Sequence, residues 1–491
     1  MTGDPLDDDV SRQYERWVYP EPIADLPAWL GSNWEWFDPS IAHRLLWPDR
    51  NYQPEMDILV AGCGANQAAV LAYTNPAAKV VAIDVSEPSL DHERFLKDKY
   101  RLKNLELRRL AIEDVDRLDR EFDLLVSTGV LHHLSDSQRG MDALGGCLRR
   151  DGVIGIMLYA RFGRIGVELL QSVFSDLGLV QDDASVAVVK AALSDVPEGH
   201  PIKSYLPLAR DLQHDAGIVD TFLHGRDRSF TVNSCIDLVT TAGLVFQDWF
   251  LKAPYYPPVG PKSAFFSSVA ALPEQQQWSV LERISSANAC HFFTACRADR
   301  PTRDYRIDFL SAGVVDYVPS FRHGCRVEGS RLFRQGWSVA LDSTQLAFVT
   351  QIDGQRTIAD VNSGVLDLGE FGHRGLDDIA NYSRQLFQSF WQLDVLAMGI
   401  HATVPNGEPA PPLPPVPARS SAGTYTASSL PGSGDGDGAA HPATHTSAAP
   451  AKTSDADSLI RWCMLDLLDL TLLGPSRSGA AVGAGKVARS R

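Results

Sequence analysis

From Met56 to Tyr159 the chain alternates short apolar runs with stretches at helical spacing. DILVAG, KVVAIDV, NLELRRLA, FDLLVSTG and GVIGIMLYA have strand length, and all but the third are nearly continuous in hydrophobicity. A strand with one solvated face would alternate apolar and polar residues, so these runs predict parallel strands covered on both faces. Between them, ANQAAVLAYTNP, EPSLDHERFLKDKYRL and SDSQRGMDALGGCLRRDG carry helical spacing and close in turn residues. The pattern is that of a doubly wound α/β domain.

The rhythm continues to about residue 300. A helix is expected over GVELLQSVFSDLGL and another over VNSCIDLVTTAGL, with strands over VFQDWFLKAPYY and HFFTACRAD. Residues 180–230 show no strong period and read as an insertion overhanging the sheet. The expected organisation is an aromatic lead-in over 1–50, the α/β domain over 51–300 and a small α+β or winged-helix-like module over 301–403. Short strands are expected in that module at YRIDFL, RVEGS and SVALD, and one strong helix over LDDIANYSRQLFQSFWQLDVLAMGI. Residues 404–456 hold ten of the 30 prolines among Ala, Gly, Ser and Thr, too little apolar surface to offset the entropy of ordering, which predicts a disordered linker. Residues 457–491 read as a short amphipathic helix and a basic tail.

Composition narrows the function. Across 491 residues, 45 Lys and Arg stand against 61 Asp and Glu, a net charge of −16 that repels phosphate backbones and anionic lipid. Neither a nucleic-acid nor a membrane partner is expected. Seven cysteines without a C-x-x-C pair predict neither a disulfide scaffold nor a zinc ribbon. The acidic N-terminus lacks the charge and apolar core of a secretory signal, and no run approaches a membrane span, so a cytoplasmic location is expected.

The candidate chemistry lies at the strand ends. The first strand runs into Gly62-Cys63-Gly64-Ala65-Asn66-Gln67, and the second ends at Asp84, 22 residues after Gly62. Small residues at such a turn let a ligand approach main-chain N–H groups, and an acid on the neighbouring strand tip accepts ribose hydroxyls. A dinucleotide fingerprint needs a third glycine where Gln67 stands, which argues against NAD. At this point the stretch resembles the class I S-adenosylmethionine-dependent methyltransferases. The likeness continues through Phe122-Asp123-Leu124-Leu125-Val126-Ser127-Thr128-Gly129-Val130-Leu131-His132-His133-Leu134 and Leu148-Arg149-Arg150-Asp151-Gly152-Val153, four motifs in order over about 100 residues.

The resemblance implies a mostly parallel seven-stranded Rossmann-like sheet and S-adenosyl-L-methionine as cofactor. It implies cofactor contacts from Gly62, Cys63, Gly64, Asp84, Val85, Ile112, Glu113 and Ser127, with Ile112 packing on the adenine ring. Val60 stands where the family usually has an acid that organises the methionine amino group, and Ala111 where a side chain often meets the adenine. His132 or His133 is the candidate general base, although such a pair also shapes this loop in the family whatever the acceptor. Tyr14, Trp17 and Tyr19 are expected to fold over the cofactor and touch the substrate, a small molecule accepting the methyl on O or N, with C as a further option. Trp29, Trp34 and Trp36 are expected in the core or at an interface rather than in a site. His200, His214 and His224, among Asp211, Asp215, Asp220 and Asp227, read as scattered solvated side chains, so no metal is expected. The 353–361 stretch faintly resembles PqqD-type modules, which implies a peptide or protein partner for 301–403. A methyltransferase fold kept as a scaffold or cofactor sensor, without turnover, is the alternative.

Overall fold

The computed structural model describes Leu6 and residues 8–258, 263–285, 287–334, 337–369 and 375–400. The expected linker and C-terminal helix lie outside the described residues. Seven strands form the central sheet: β1 (Asp57–Ala61), β2 (Lys79–Asp84), β3 (Leu105–Arg109), β4 (Phe122–Thr128), β5 (Leu148–Tyr159), β6 (Leu244–Trp249) and β7 (Cys290–Arg297). Their order is β3-β2-β1-β4-β5-β7-β6, with the first five parallel and β7 antiparallel to both neighbours. This is the mostly parallel, doubly wound sheet that the apolar runs predict.

Alternation along the strands divides the core between two faces. Leu59, Ala61 and Leu125 face one layer, with the helices Ser137–Gly146 and Val232–Thr241, and Ile58, Val60, Leu124 and Val126 face the other, with Gln67–Thr74 and Glu87–Tyr100. The lead-in completes the second face. A Cβ on Gly155 in β5 would lie 2.5 Å from the Phe37 ring, so only glycine leaves room for that ring against the sheet. Trp29, Trp34 and Trp36 pack on the same layer, as expected.

The insertion departs from the sequence reading. Residues without strong period form the helices Asp183–Asp195, Ile202–Tyr205 and Asp215–Phe222, which share a core of their own with Ile165–Asp176 through Val167, Phe174, Val186, Val189, Ile218 and Phe222. The 13-residue helix Asp183–Asp195 buries Ser185, Val186 and Val189, while Asp215–Phe222 is buried at most of its 8 positions, so neither shows a strong period in the sequence.

In the smaller module, strands Arg326–Glu328, Arg331–Arg334 and Trp337–Ala340 make an antiparallel sheet. YRIDFL is not a strand but an irregular stretch around Tyr305, and VFQDWFLKAPYY is a strand only to Trp249. The long C-terminal helix stops at Gln392, and Leu396–Gly399 turns back as a strand paired with Val318–Phe321. Asp394, at φ 60°, makes that reversal. Its carboxylate accepts from the Lys252 and Ala253 N–H groups and pairs with Arg322 at 2.6 Å, joining the module to the end of β6.

Candidate active site

The turn after β1 is held by backbone conformation. Gly62 (φ 75°) and Gly64 (φ 56°) take left-handed geometry that other residues adopt only with strain. The Gly64 N–H donates to Asp84 Oδ2 at 2.8 Å, and the Ser86 N–H donates to Asp84 Oδ1 at 2.8 Å. Burial raises the Asp84 carboxyl above its ordinary range, opposed by these backbone donors. Each oxygen keeps acceptor capacity, and the acid sits at the carboxyl edge of β2, where a ribose diol is bound in open α/β sheets. The part-buried Val85 follows it. Cys63 is buried against the second core layer, and desolvation holds its thiol well above its usual range, so it packs the turn and offers no thiolate.

Past β3 and within β4, two polar atoms lack partners. Glu113 Oε2 and Ser127 Oγ are buried without a hydrogen bond, acceptor capacity a purine amino group or a cofactor tail would satisfy. Ile112 is 4% exposed and packs beside Gly140, because the turn Ile112–Leu118 lies under the helix Ser137–Gly146.

The lead-in does fold over this edge. A Cβ on Gly64 would meet Pro20 Cδ at 2.9 Å, and the Tyr14 carbonyl accepts from Ser86 Oγ. The Tyr14 hydroxyl donates to Asp220 Oδ1 at 2.7 Å, and the Tyr19 hydroxyl donates to Asp211 Oδ2 at 3.0 Å, tying the lead-in to the insertion. Trp17 is part-buried and packs against the insertion core.

The histidines after β4 meet residues that the sequence left scattered. The His133 ring stacks on His224 at 3.9 Å between centroids and meets His132 edge-on at 4.2 Å. His133 Nδ1 faces the Arg226 carbonyl at 2.9 Å, which only accepts, so Nδ1 carries the proton and Nε2 the lone pair. His224 Nδ1 accepts from the Arg226 N–H, and His132 Nδ1 from the Tyr159 N–H, so their Nε2 atoms carry protons. All three Nε2 atoms are buried without partners. Burial holds His132 and His224 well below the ordinary histidine range and so neutral. Asp220, read as solvated, is 1% exposed and accepts from Tyr14 and, at 3.0 Å, from Tyr159. The Tyr159 ring lies between His132 and the Arg164 guanidinium, which pairs with Asp227 at 3.0 Å.

Ligand atoms of His133, Asp220 and His224 lie within 4.8 Å of one another, a grouping the sequence reading did not anticipate. The His224 Nδ1 bond commits its Nε2 to a proton, and both Asp220 oxygens take tyrosine hydroxyls. The protonated Nε2 of His224 cannot ligate a cation, so the grouping is not a ready metal-ligand set. Its one signal in the sequence was the i, i+4 spacing of Asp220 and His224.

Beside the glycine turn, Gln67 Nε2 donates to Glu35 Oε1 at 2.8 Å and to Thr128 Oγ1 at 3.1 Å. This brings an acid from the aromatic lead-in to the tip of β4, a placement that sequence reasoning missed because Glu35 sits between two core tryptophans.

Residues 59–154 match a family model described as a methyltransferase domain. The structure is similar to PKMT2 from Rickettsia typhi, with TM-score 0.56 at 15% identity over 74% of this chain and 75% of that one. It is also similar to PKMT2 in complex with AdoHcy, with TM-score 0.54, 14% identity and the same coverage. In sequence, an uncharacterized Synechococcus protein is 26% identical over 310 residues, 60% of this chain and 73% of its own. The central domain has the class I, Rossmann-like methyltransferase fold, and residues 59–154 carry its family match. The cofactor of this class is S-adenosylmethionine, and the glycine turn, Asp84 and the unpartnered atoms of Glu113 and Ser127 fit it.

Proposed function

We propose that the protein transfers a methyl group from S-adenosylmethionine to an oxygen or nitrogen of a small acceptor, with His133 as the general base. The observation that carries this reading is the His133 tautomer. With Nδ1 held by the Arg226 carbonyl, a buried and unpartnered Nε2 lone pair stands at the carboxyl edge of β4. A base there serves an acceptor with a dissociable proton, which favours O–H and N–H over an unactivated carbon.

Bound S-adenosylmethionine supplies a methyl already activated on a sulfonium. The chain's task is therefore to bind, align and exclude water. Gly62, Gly64 and Asp84 would hold the nucleoside, and Glu113 and Ser127 offer acceptors to the rest of the cofactor. Tyr14 and Tyr19, bonded to Asp220 and Asp211, roof the edge with the insertion and shield it from water. His132 and His224 keep protonated Nε2 atoms beside His133 and are themselves held neutral by burial. The roof supports a small acceptor.

Titration calorimetry with S-adenosylmethionine, S-adenosylhomocysteine and NAD tests the reading, together with Asp84→Ala. Binding of the two sulfur nucleosides alone, lost on Asp84→Ala, is the expected result. Unchanged affinity in the variant would remove Asp84 from the site, and binding of NAD alone would replace the reading with an oxidoreductase.

A further inference from the structure

The sheet order sets a direction for a nucleoside amino acid lying across it. With ribose at the tip of β2, an amino-acid tail extends over β1 toward β4, since the order there is β2-β1-β4. The tail's ammonium needs an anionic acceptor at that end, and β1 brings none, because Ile58, Leu59, Val60 and Ala61 are all buried and apolar. Gln67 Nε2, from the helix that follows the glycine turn, bonds both Thr128 at the tip of β4 and the Glu35 carboxylate.

Glu35 has the character of an acceptor awaiting a cation. Its Oε1 accepts from Gln67 and from the Trp36 N–H at 3.0 Å. Burial pushes its carboxyl up to about 7 against those two donors, and the charged group adding to that shift is another acid, Asp38. Glu93, which accepts from the Ala68 and Ala69 N–H groups behind the turn, is itself raised in part by Glu35. Two acids, Glu35 and Glu93, thus lie at the start of the helix Gln67–Thr74, and no ion pair relieves Glu35 among the described residues.

We infer that Glu35, held by Gln67 against the tip of β4, is the carboxylate that binds the α-ammonium of the cofactor's methionine end. The inference rests on the cofactor reading above. It assigns to the lead-in a charge that the strand motif does not carry, and makes residues 34–36 part of the binding site as well as of the core. Gln67 is then a positioning residue, because it fixes the carboxylate without touching the ligand.

The test compares S-adenosylhomocysteine with 5′-methylthioadenosine, which keeps the nucleoside and thioether but lacks the amino acid. Calorimetric titration of the full chain and of Glu35→Gln, an isosteric change that keeps a polar partner for Gln67, reads both affinities. A charge-assisted hydrogen bond predicts that Glu35→Gln weakens S-adenosylhomocysteine about 10- to 100-fold and leaves 5′-methylthioadenosine unchanged. Gln67→Ala should weaken S-adenosylhomocysteine in the same selective way but less. Equal losses for both ligands in Glu35→Gln, or no loss for either, would overturn the assignment while the cofactor reading stands. Failure of the unmodified chain to bind either ligand would overturn both.

Discussion

The imidazole of His133 lies 3.9 Å from that of His224, centre to centre, with the ring planes 21° apart. One ring comes from the end of β4 and the other from just beyond the insertion helix Asp215–Phe222, so the proposed base is completed by a segment outside the methyltransferase motifs. His133→Ala is expected to lower kcat by about 10²- to 10⁴-fold while S-adenosylhomocysteine affinity stays within about twofold. Single-turnover rates at saturating cofactor check this. A variant that turns over at the unmodified rate would place the proton acceptor elsewhere.

Gly64→Ala would force an alanine to φ 56° and set its Cβ 2.9 Å from Pro20 Cδ. The expected cost is about 1–3 kcal/mol of stability, together with weaker cofactor binding as the lead-in lifts from the turn. Denaturant unfolding gives the first quantity and calorimetry the second, and a Gly64→Ala protein matching the parent in both would show that the lead-in does not clamp this turn.

Glu93 is 0% exposed, and burial pushes its carboxyl up to about 8, against N–H donors from Ala68 and Ala69. Since the folded chain holds this proton more tightly than the unfolded one, stability falls as pH rises from about 4.5 through 8. Glu35 and Glu282, both raised to about 7, act in the same direction. The buried His43 and His291, lowered to about 4, act oppositely, but only below about pH 6.5. Thermal melting between pH 6.5 and 8.5 should therefore decline in the parent and decline less in Glu93→Gln. Parallel curves for the two proteins would show that Glu93 does not change protonation in that window.

Asp394 is 2% exposed and compensates Arg322, which is otherwise buried against Phe250. Asp394→Ala leaves that guanidinium without its charge partner and strains a residue at φ 60°, and should cost about 3–5 kcal/mol. Asp394→Asn keeps the hydrogen-bonding shape and tolerates the left-handed backbone, so it should cost less. Unfolding monitored by tryptophan fluorescence checks both values. Equal costs would show that the lost charge, common to both variants, outweighs the backbone strain that alanine alone adds.

The α/β domain was legible because its strands are buried on both faces and therefore appear as continuous apolar runs, as in DILVAG and FDLLVSTG. The glycine turn and Asp84 were legible because left-handed backbone and a strand-tip acid are local requirements, written at a fixed spacing. Other features were not local. The insertion helices are buried on too little or too much of their surface to show a period, and Asp394 ends a helix that the apolar pattern carried on to residue 400. Ile112 was singled out by its place after β3, and its burial beside Gly140 is set by tertiary packing.

By itself the sequence determined the sheet, its order of motifs and the glycine turn, since each depends on residues close together in the chain. Only the tertiary structure decided which distant side chains complete the site. Asp220 and His224 reach Tyr14 and His133 because the insertion folds over the sheet edge, and Glu35 reaches Gln67 because Phe37 anchors the lead-in on Gly155. Such contacts are selected by the burial free energy of whole layers, and no spacing in the sequence records them.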